Sequence, residues 1–160
     1  MGAKGYGVLA SSCLTVFALD QITKAYITAC FPLYASRTVI PGFFNVVHYR
    51  NTGVAFGLFG GTASPLRDAV LLLFPLAAIT GILLFAFMGR PKRRDVLLAL
   101  GGIMGGALGN LLDRFRYGGV VDFLDVYLGT VHWPAFNLAD SAISIGAFYL
   151  ILRYGRMKEP

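Results

Sequence analysis

The sequence predicts an α-helical integral membrane protein, with four transmembrane helices and a small β-sheet on the outer side. Three observations lead there. Of 160 residues, 56% are apolar and only 14% are charged, against about 25% charged in an average soluble domain. Four apolar segments are long enough to cross a bilayer, which takes about 20 residues of helix. The stretch between the first two mixes β-branched and aromatic residues in partial alternation, as strands do. The length suits a single domain, 1–160.

The first span runs over about residues 7–29. "LASSC" faintly resembles a lipoprotein cleavage box ending in Cys13. The apolar run before it is too short for the core of a removable leader, so this segment is read as a retained span. The second span, 68–88, reads "DAVLLLFPLAAITGILLFAFM", with Pro75 placed to kink it. The third, 95–112, carries Gly101, Gly102, Gly105, Gly106 and Gly109. Glycines four apart let helices approach closely in lipid, so this span is expected to be the packed centre of the bundle. The fourth covers about 136–154.

The outer sheet is expected over about residues 38–60, in "GFFNVVHYRNTGVAFGLF". Strict alternation would turn Phe44, Val46 and His48 one way and Asn45, Val47 and Tyr49 the other. Turn signals at Pro41-Gly42 and Gly60-Gly61 bracket it, and "VVDFLDVYLG" can add a further strand.

The net charge of +6 does not point to nucleic acid, because the basic residues flank apolar runs. Lys4, the cluster Arg90, Lys92, Arg93 and Arg94, and the tail residues Arg153, Arg156 and Lys158 are eight of the fourteen. The positive-inside rule puts them, and both termini, in the cytoplasm. Residues 30–67 and 113–135 then lie outside. Cys13 and Cys30 read as small apolar fillers. His48 and His132 lack ligand spacing, so no metal is expected.

Ionisable residues inside spans are rare and usually mark a functional interior. Here they gather toward the outer ends: Asp20, Gln21 and Lys24; Asn110, Asp113 and Arg114; Asn137, Asp140 and Ser141. Asp20 and Lys24 can pair one helical turn apart. Arg114 can take a carboxylate with two hydrogen bonds, and Asp113 is either that partner or a helix-end cap. Asp125 is expected at solvent or at the sheet edge. Asp122 and Asp140 are left without a sequence-local cation, and the eighteen-residue step between them allows them to meet. Two adjacent carboxylates share a proton and can act as acid and base on a water and a carbonyl. Spacing alone leaves three readings open: such a dyad, a proton-coupled transporter relay, and a structural polar network.

Four blocks narrow this. "DQITKAYI", "YRNTGVAFGLF", "GGALGNLLDRFRYGGVVDFLDV" and "FNLADSAISIG" resemble, in order and over nearly the whole chain, the lipoprotein signal peptidases of the bacterial signal peptidase II family. The resemblance implies a membrane-embedded aspartic protease that needs no cofactor. Such an enzyme cleaves a prolipoprotein before its diacylglyceryl-modified cysteine. It puts the catalytic pair on Asp122 and Asp140, and further polar motif positions on Asp20, Lys24, Asn51, Asn110, Asp113, Arg114 and Asn137. Asn51 and Gly53 of "RNTG" are expected to contact the substrate backbone; the competing reading of Asn51 is a turn residue. The resemblance further implies four spans under a sheet called a cradle, in the inner membrane. A monomer contacting lipid and lipidated substrate is expected, with the active site toward the outer face.

Overall fold

The computed structural model describes residues 3–53, 64–89, 91 and 93–155. The elements run α1 Ala3–Cys30, β1 Ser36–Ile40, β2 Phe44–Asn51, α2 Pro65–Met88, α3 Arg94–Tyr117, β3 Val120–Leu128, β4 Val131–His132 and α4 Leu138–Gly155. The turn expected at Gly60-Gly61 and the end of the sheet region expected over 54–60 lie outside the described residues, as do Arg90, Lys92, Arg156 and Lys158.

Local chemistry sets the helix ends. The Ser64 hydroxyl accepts from the Arg67 amide at 3.1 Å, and Pro65 takes the first turn of α2, where no amide hydrogen is needed. The helix then runs through Pro75 to Met88. α3 outlasts the expected span by one turn. It stops at Gly118, whose φ of 69° is the left-handed conformation that glycine adopts without a Cβ penalty. Arg114 and Arg116 in its last turn suit the negative end of the helix dipole.

α1, α2 and α3 are long and apolar enough to cross a membrane. α4 has 18 residues and carries Asp140 in its first turn and Arg153 in its last, so among the described residues length and composition alone identify three spans and not four. α3 is the packed centre. A Cβ on Gly101 would meet the Leu9 carbonyl, and one on Gly105 the Cys13 carbonyl, so this face lies directly on α1. A Cβ on Gly106 would sit 2.6 Å from the Ala139 carbonyl oxygen of α4. Cys13 is buried as expected of a filler; Cys30, the last residue of α1, is exposed instead. At the opposite end of the bundle from the aspartates, the Tyr149 hydroxyl of α4 donates to Asp95 at the start of α3, beside Arg93 at 3.2 Å.

The four strands form one antiparallel sheet in the order β1-β2-β3-β4. Gly42, with φ 78°, makes the turn between β1 and β2. The expected alternation in β2 fails at one place. Its register against β3 shifts between Val46 and Tyr49, and Val47 and His48 are both buried. The irregularity turns His48 inward, where Nδ1 lies 2.8 Å from the Phe31 carbonyl oxygen that leaves α1.

The close α3–α4 approach gives an expected outcome. Gly106→Val forces the two helices apart and destabilises the fold by about 1–3 kcal/mol. Gly81→Ala, whose Cβ would meet nothing within 4 Å, leaves the thermal midpoint in detergent unchanged. Equal midpoints for the two variants would contradict this packing.

Candidate active site

The site begins with a buried cation. Lys24 Nζ lies 2.9 Å from Asp20 Oδ2 and 3.0 Å from Asp113 Oδ2, and donates to Asn110 Oδ1 at 2.8 Å. An ammonium has three hydrogens, and here all three have acceptors. Both carboxylates do more than face the lysine. Asp20 Oδ1 accepts from the Ala139 amide at 3.0 Å, tying α1 to α4. Asp113 Oδ2 accepts from the Val121 amide at 3.0 Å, tying α3 to β3. Gln21, noted in the sequence as polar but given no role, donates to Asp113 at 3.1 Å and to Asp20 at 3.2 Å. The Asp20–Lys24 pair forms as expected. Asp113 is a partner of Lys24, not of Arg114.

Above this network sit Asp122 and Asp140, each fed by asparagine amides. Asn51 Nδ2 donates to Asp122 Oδ2 at 3.0 Å, and Asn137 Nδ2 to Asp122 Oδ1 at 2.8 Å. Asn110 Nδ2 donates to Asp140 Oδ1 at 2.8 Å. Asn137 and Asp140 also form a reciprocal cap at the start of α4. The Asp140 amide donates to Asn137 Oδ1 at 2.9 Å, and the Asn137 amide to Asp140 Oδ2 at 3.3 Å. Asn137, with no exposed surface, therefore touches both aspartates. Asn51 fills the turn role as well: its Oδ1 accepts from the Gly53 amide at 2.9 Å. Ser141 donates to the Asn137 carbonyl at 2.9 Å.

Asp122 lies on β3 opposite Tyr49 and is 2% exposed. Its burial, and then the nearby charge of Asp140, push its carboxyl up to about 7, against the downward pull of Asn51 and Asn137.

Both aspartates line one cavity of about 450 Å³. Its polar side is Asn51, Asn110, Arg114, Asp122, Asp140, Ser141 and Ser144; Trp133, Phe136, Ile143 and Ile145 supply much of its apolar wall. Arg114 donates to the Asn110 carbonyl at 3.3 Å. Among the described residues no carboxylate lies at ion-pair distance from it, contrary to the expected bidentate pair. The sequence reading did not pick out the Trp133–Phe136 lip, because nothing in a short Trp-Pro-Ala-Phe run marks a cavity wall.

Asp125 corrects another expectation. It is 5% exposed, not at solvent. Asn45 Nδ2 donates to its Oδ2 at 2.8 Å and His132 Nδ1 lies 2.8 Å from its Oδ1, so it links β2, β3 and β4. Local sequence shows neither partner, since both come from other strands.

The chain as a whole is similar to known proteins. The lipoprotein signal peptidase of Syntrophus aciditrophicus is 44% identical over 137 residues, which cover 86% of this chain and 85% of that one. That of Desulforapulum autotrophicum is 48% identical over 132 residues, 82% and 81% of the two chains. Two bacterial membrane enzymes solved by the in meso method share the fold. One, at 2.3 Å resolution, has a TM-score of 0.83 and 29% identity and covers 94% of this chain and 88% of its own. The other, at 1.9 Å, has a TM-score of 0.82 and 27% identity, with 96% and 95% covered. The family description for signal peptidase (SPase) II matches residues 12–155, a range that takes in every residue of the lysine network and both aspartates. With that match and such identity over most of its length, the chain belongs to the signal peptidase II family.

Proposed function

We propose that this chain is an aspartyl endopeptidase of lipoprotein processing. It removes the signal peptide from diacylglyceryl-modified prolipoproteins by cutting before the lipidated cysteine, and the whole chain 1–160 acts as one membrane-embedded domain. The observation that carries the reading is the pair Asp122 and Asp140 on one cavity, both bonded to Asn137. Family membership supplies the peptidase and the resemblance supplies the lipidated substrate.

In this reading Asp140 accepts a proton from a water, whose oxygen attacks the scissile carbonyl carbon. Asp122 gives its proton to the carbonyl oxygen as the C–O double bond opens. Collapse of the tetrahedral intermediate returns that proton to Asp122 and breaks the C–N bond. The proton held by Asp140 then passes to the leaving nitrogen. Asn51, Asn110 and Asn137 hold the carboxylates, and Asn51 with Gly53 forms the edge along which the substrate backbone lies. Arg114 presents its remaining N–H groups to the cavity, where peptide carbonyls are the matching acceptors. Asp20, Lys24 and Asp113 anchor the floor.

We assign four spans, with α4 as the last, both termini in the cytoplasm and the cavity toward the outer face of the inner membrane. The basic residues at the end of the bundle away from the cavity support this orientation. A monomer contacting lipid suffices, because substrate reaches the cavity from the bilayer. A proton-coupled transporter is not supported: the buried acids gather at one end of the bundle, not at its midplane.

Asp122→Asn and Asp140→Asn each lower kcat by about 100- to 10,000-fold on a diacylglyceryl-modified prolipoprotein in detergent. A folded variant that cleaves at the wild-type rate ends the dyad assignment; cleavage confined to a non-lipidated peptide ends the substrate assignment.

The acid must be protonated, so with the Asp122 carboxyl at about 7, kcat/KM declines as pH rises above about 7. A rate that stays flat to high pH would remove Asp122 from the role of acid.

The same shift acts on stability. Below the ordinary aspartate value of 3.8 both folded and unfolded chains hold the proton; between 3.8 and about 7 only the folded chain does. The contribution is fully present at low pH and is lost as pH rises through about 7. Asp122→Asn, which cannot ionise, therefore compares more favourably with the wild type in thermal midpoint at pH 8 than at pH 5, whatever fixed cost its NH2 incurs against Asn51 or Asn137. A more favourable comparison at pH 5 would reverse the sign.

A further inference from the structure

An asparagine amide has two ends of similar size and opposite hydrogen-bonding character. Asp140 Oδ1 faces the Asn110 amide, and a carboxylate oxygen there can only accept. Asn110 must therefore turn its NH2 toward Asp140. Nothing in the shape of the amide ensures this, since a flipped group would occupy the same volume with its oxygen against the aspartate.

The group on the other side decides the matter. Lys24 Nζ, 2.8 Å from Asn110 Oδ1, can only donate. It has no freedom to turn away, because Asp20 and Asp113 hold it at 2.9 and 3.0 Å and its side chain is 3% exposed. Asn137 Nδ2 adds a second, longer donation to the same oxygen, at 3.3 Å, while also serving Asp122 at 2.8 Å. With two donors on one side and one acceptor on the other, a single orientation of Asn110 satisfies every partner. Asn51 and Asn137 are oriented by backbone amides, those of Gly53 and Asp140. Asn110 alone is oriented by an ionisable side chain from another helix.

We propose that Lys24 is a positioning residue for catalysis: by holding Asn110 Oδ1 it fixes the amide with Nδ2 directed at Asp140. Lys24 touches neither the water nor the substrate. The inference rests on the dyad reading above and adds to it a reason for a cation beneath Asp140.

The test is a double-mutant cycle on kcat and KM with the diacylglyceryl-modified prolipoprotein. Lys24→Met leaves two buried carboxylates facing each other and can fail to fold. Lys24→Met with Asp20→Asn removes one cation and one anion, and the asparagine keeps an oxygen for the Ala139 amide. In this charge-balanced variant kcat falls about 100-fold, as expected when a reacting group loses its alignment, and KM stays within about threefold. Asn110→Ala lowers kcat in the wild-type background but by less than about threefold in the Lys24-altered background, because the interaction it removes is already lost.

Multiplying losses, a KM rise with unchanged kcat, or wild-type turnover in the charge-balanced variant would each overturn the proposal. Asp122→Asn and Asp140→Asn run alongside. If they keep activity, the dyad reading has failed. If they are inactive while the charge-balanced Lys24 variant is fully active, only the role of Lys24 has failed.

Discussion

The structure is organised around one buried ammonium. Removing an ion from water costs several kcal/mol even after relaxation, and the cost is recovered only where the partners are close and complete. Lys24 meets that condition with three acceptors between 2.8 and 3.0 Å. Those acceptors then fix the rest. Asp20 reaches the first turn of α4, Asp113 reaches the start of β3, and Asn110 belongs to the central helix. The glycine face of α3 follows from the same requirement. A Cβ on Gly109 would collide with the Asp20 carboxylate, so the helix must be bare where the ion network crosses it. Close helix packing and charge satisfaction are one constraint here.

From that floor the site is built out of amide polarity. Asn51, Asn110 and Asn137 each have the oxygen end occupied by a donor and the nitrogen end aimed at a carboxylate. Each aspartate thus receives N–H donors on both oxygens, which limits rotation of both side chains. Amides do this without adding charge to the site. Cations in the same places would favour ionisation of both carboxyls.

The sequence showed the parts that depend on composition along the chain. Long apolar runs marked α1, α2 and α3, and the spaced glycines marked α3 as central, because a helix face is written locally at fixed spacing. Asp20–Lys24 was legible for the same reason. What depends on contacts between distant segments was not. Arg114 and Asp113 are sequence neighbours, yet Asp113 turns to Lys24, a contact that adjacency cannot reveal. Asp125 looked exposed because Asn45 and His132, which cover it, come from other strands. The break in alternation at Val47–His48 arises from a carbonyl at the end of α1, and no pattern within β2 encodes it. The asparagines were visible as polar motif positions, but which end of each amide faces an aspartate depends on partners up to 86 residues away.

The short last helix fits the same logic. α4 starts where the polar layer is, so its first turn is spent on the reciprocal cap of Asn137 and Asp140 and on the Ala139 amide held by Asp20. A helix lying wholly in hydrocarbon would satisfy its first amides only at an interface. Here the protein supplies the acceptors itself, through Asn137, Asp140 and Asp20. The same capping contacts that start α4 set the position of Asp140. A change that repaired the apolar character of this turn would therefore remove the carboxylate and the cap together. The marginal length and polarity of α4 are consequences of placing an acid at a helix start beside the buried strand β3, where Asn137 can reach Asp122 and Asp140 at once.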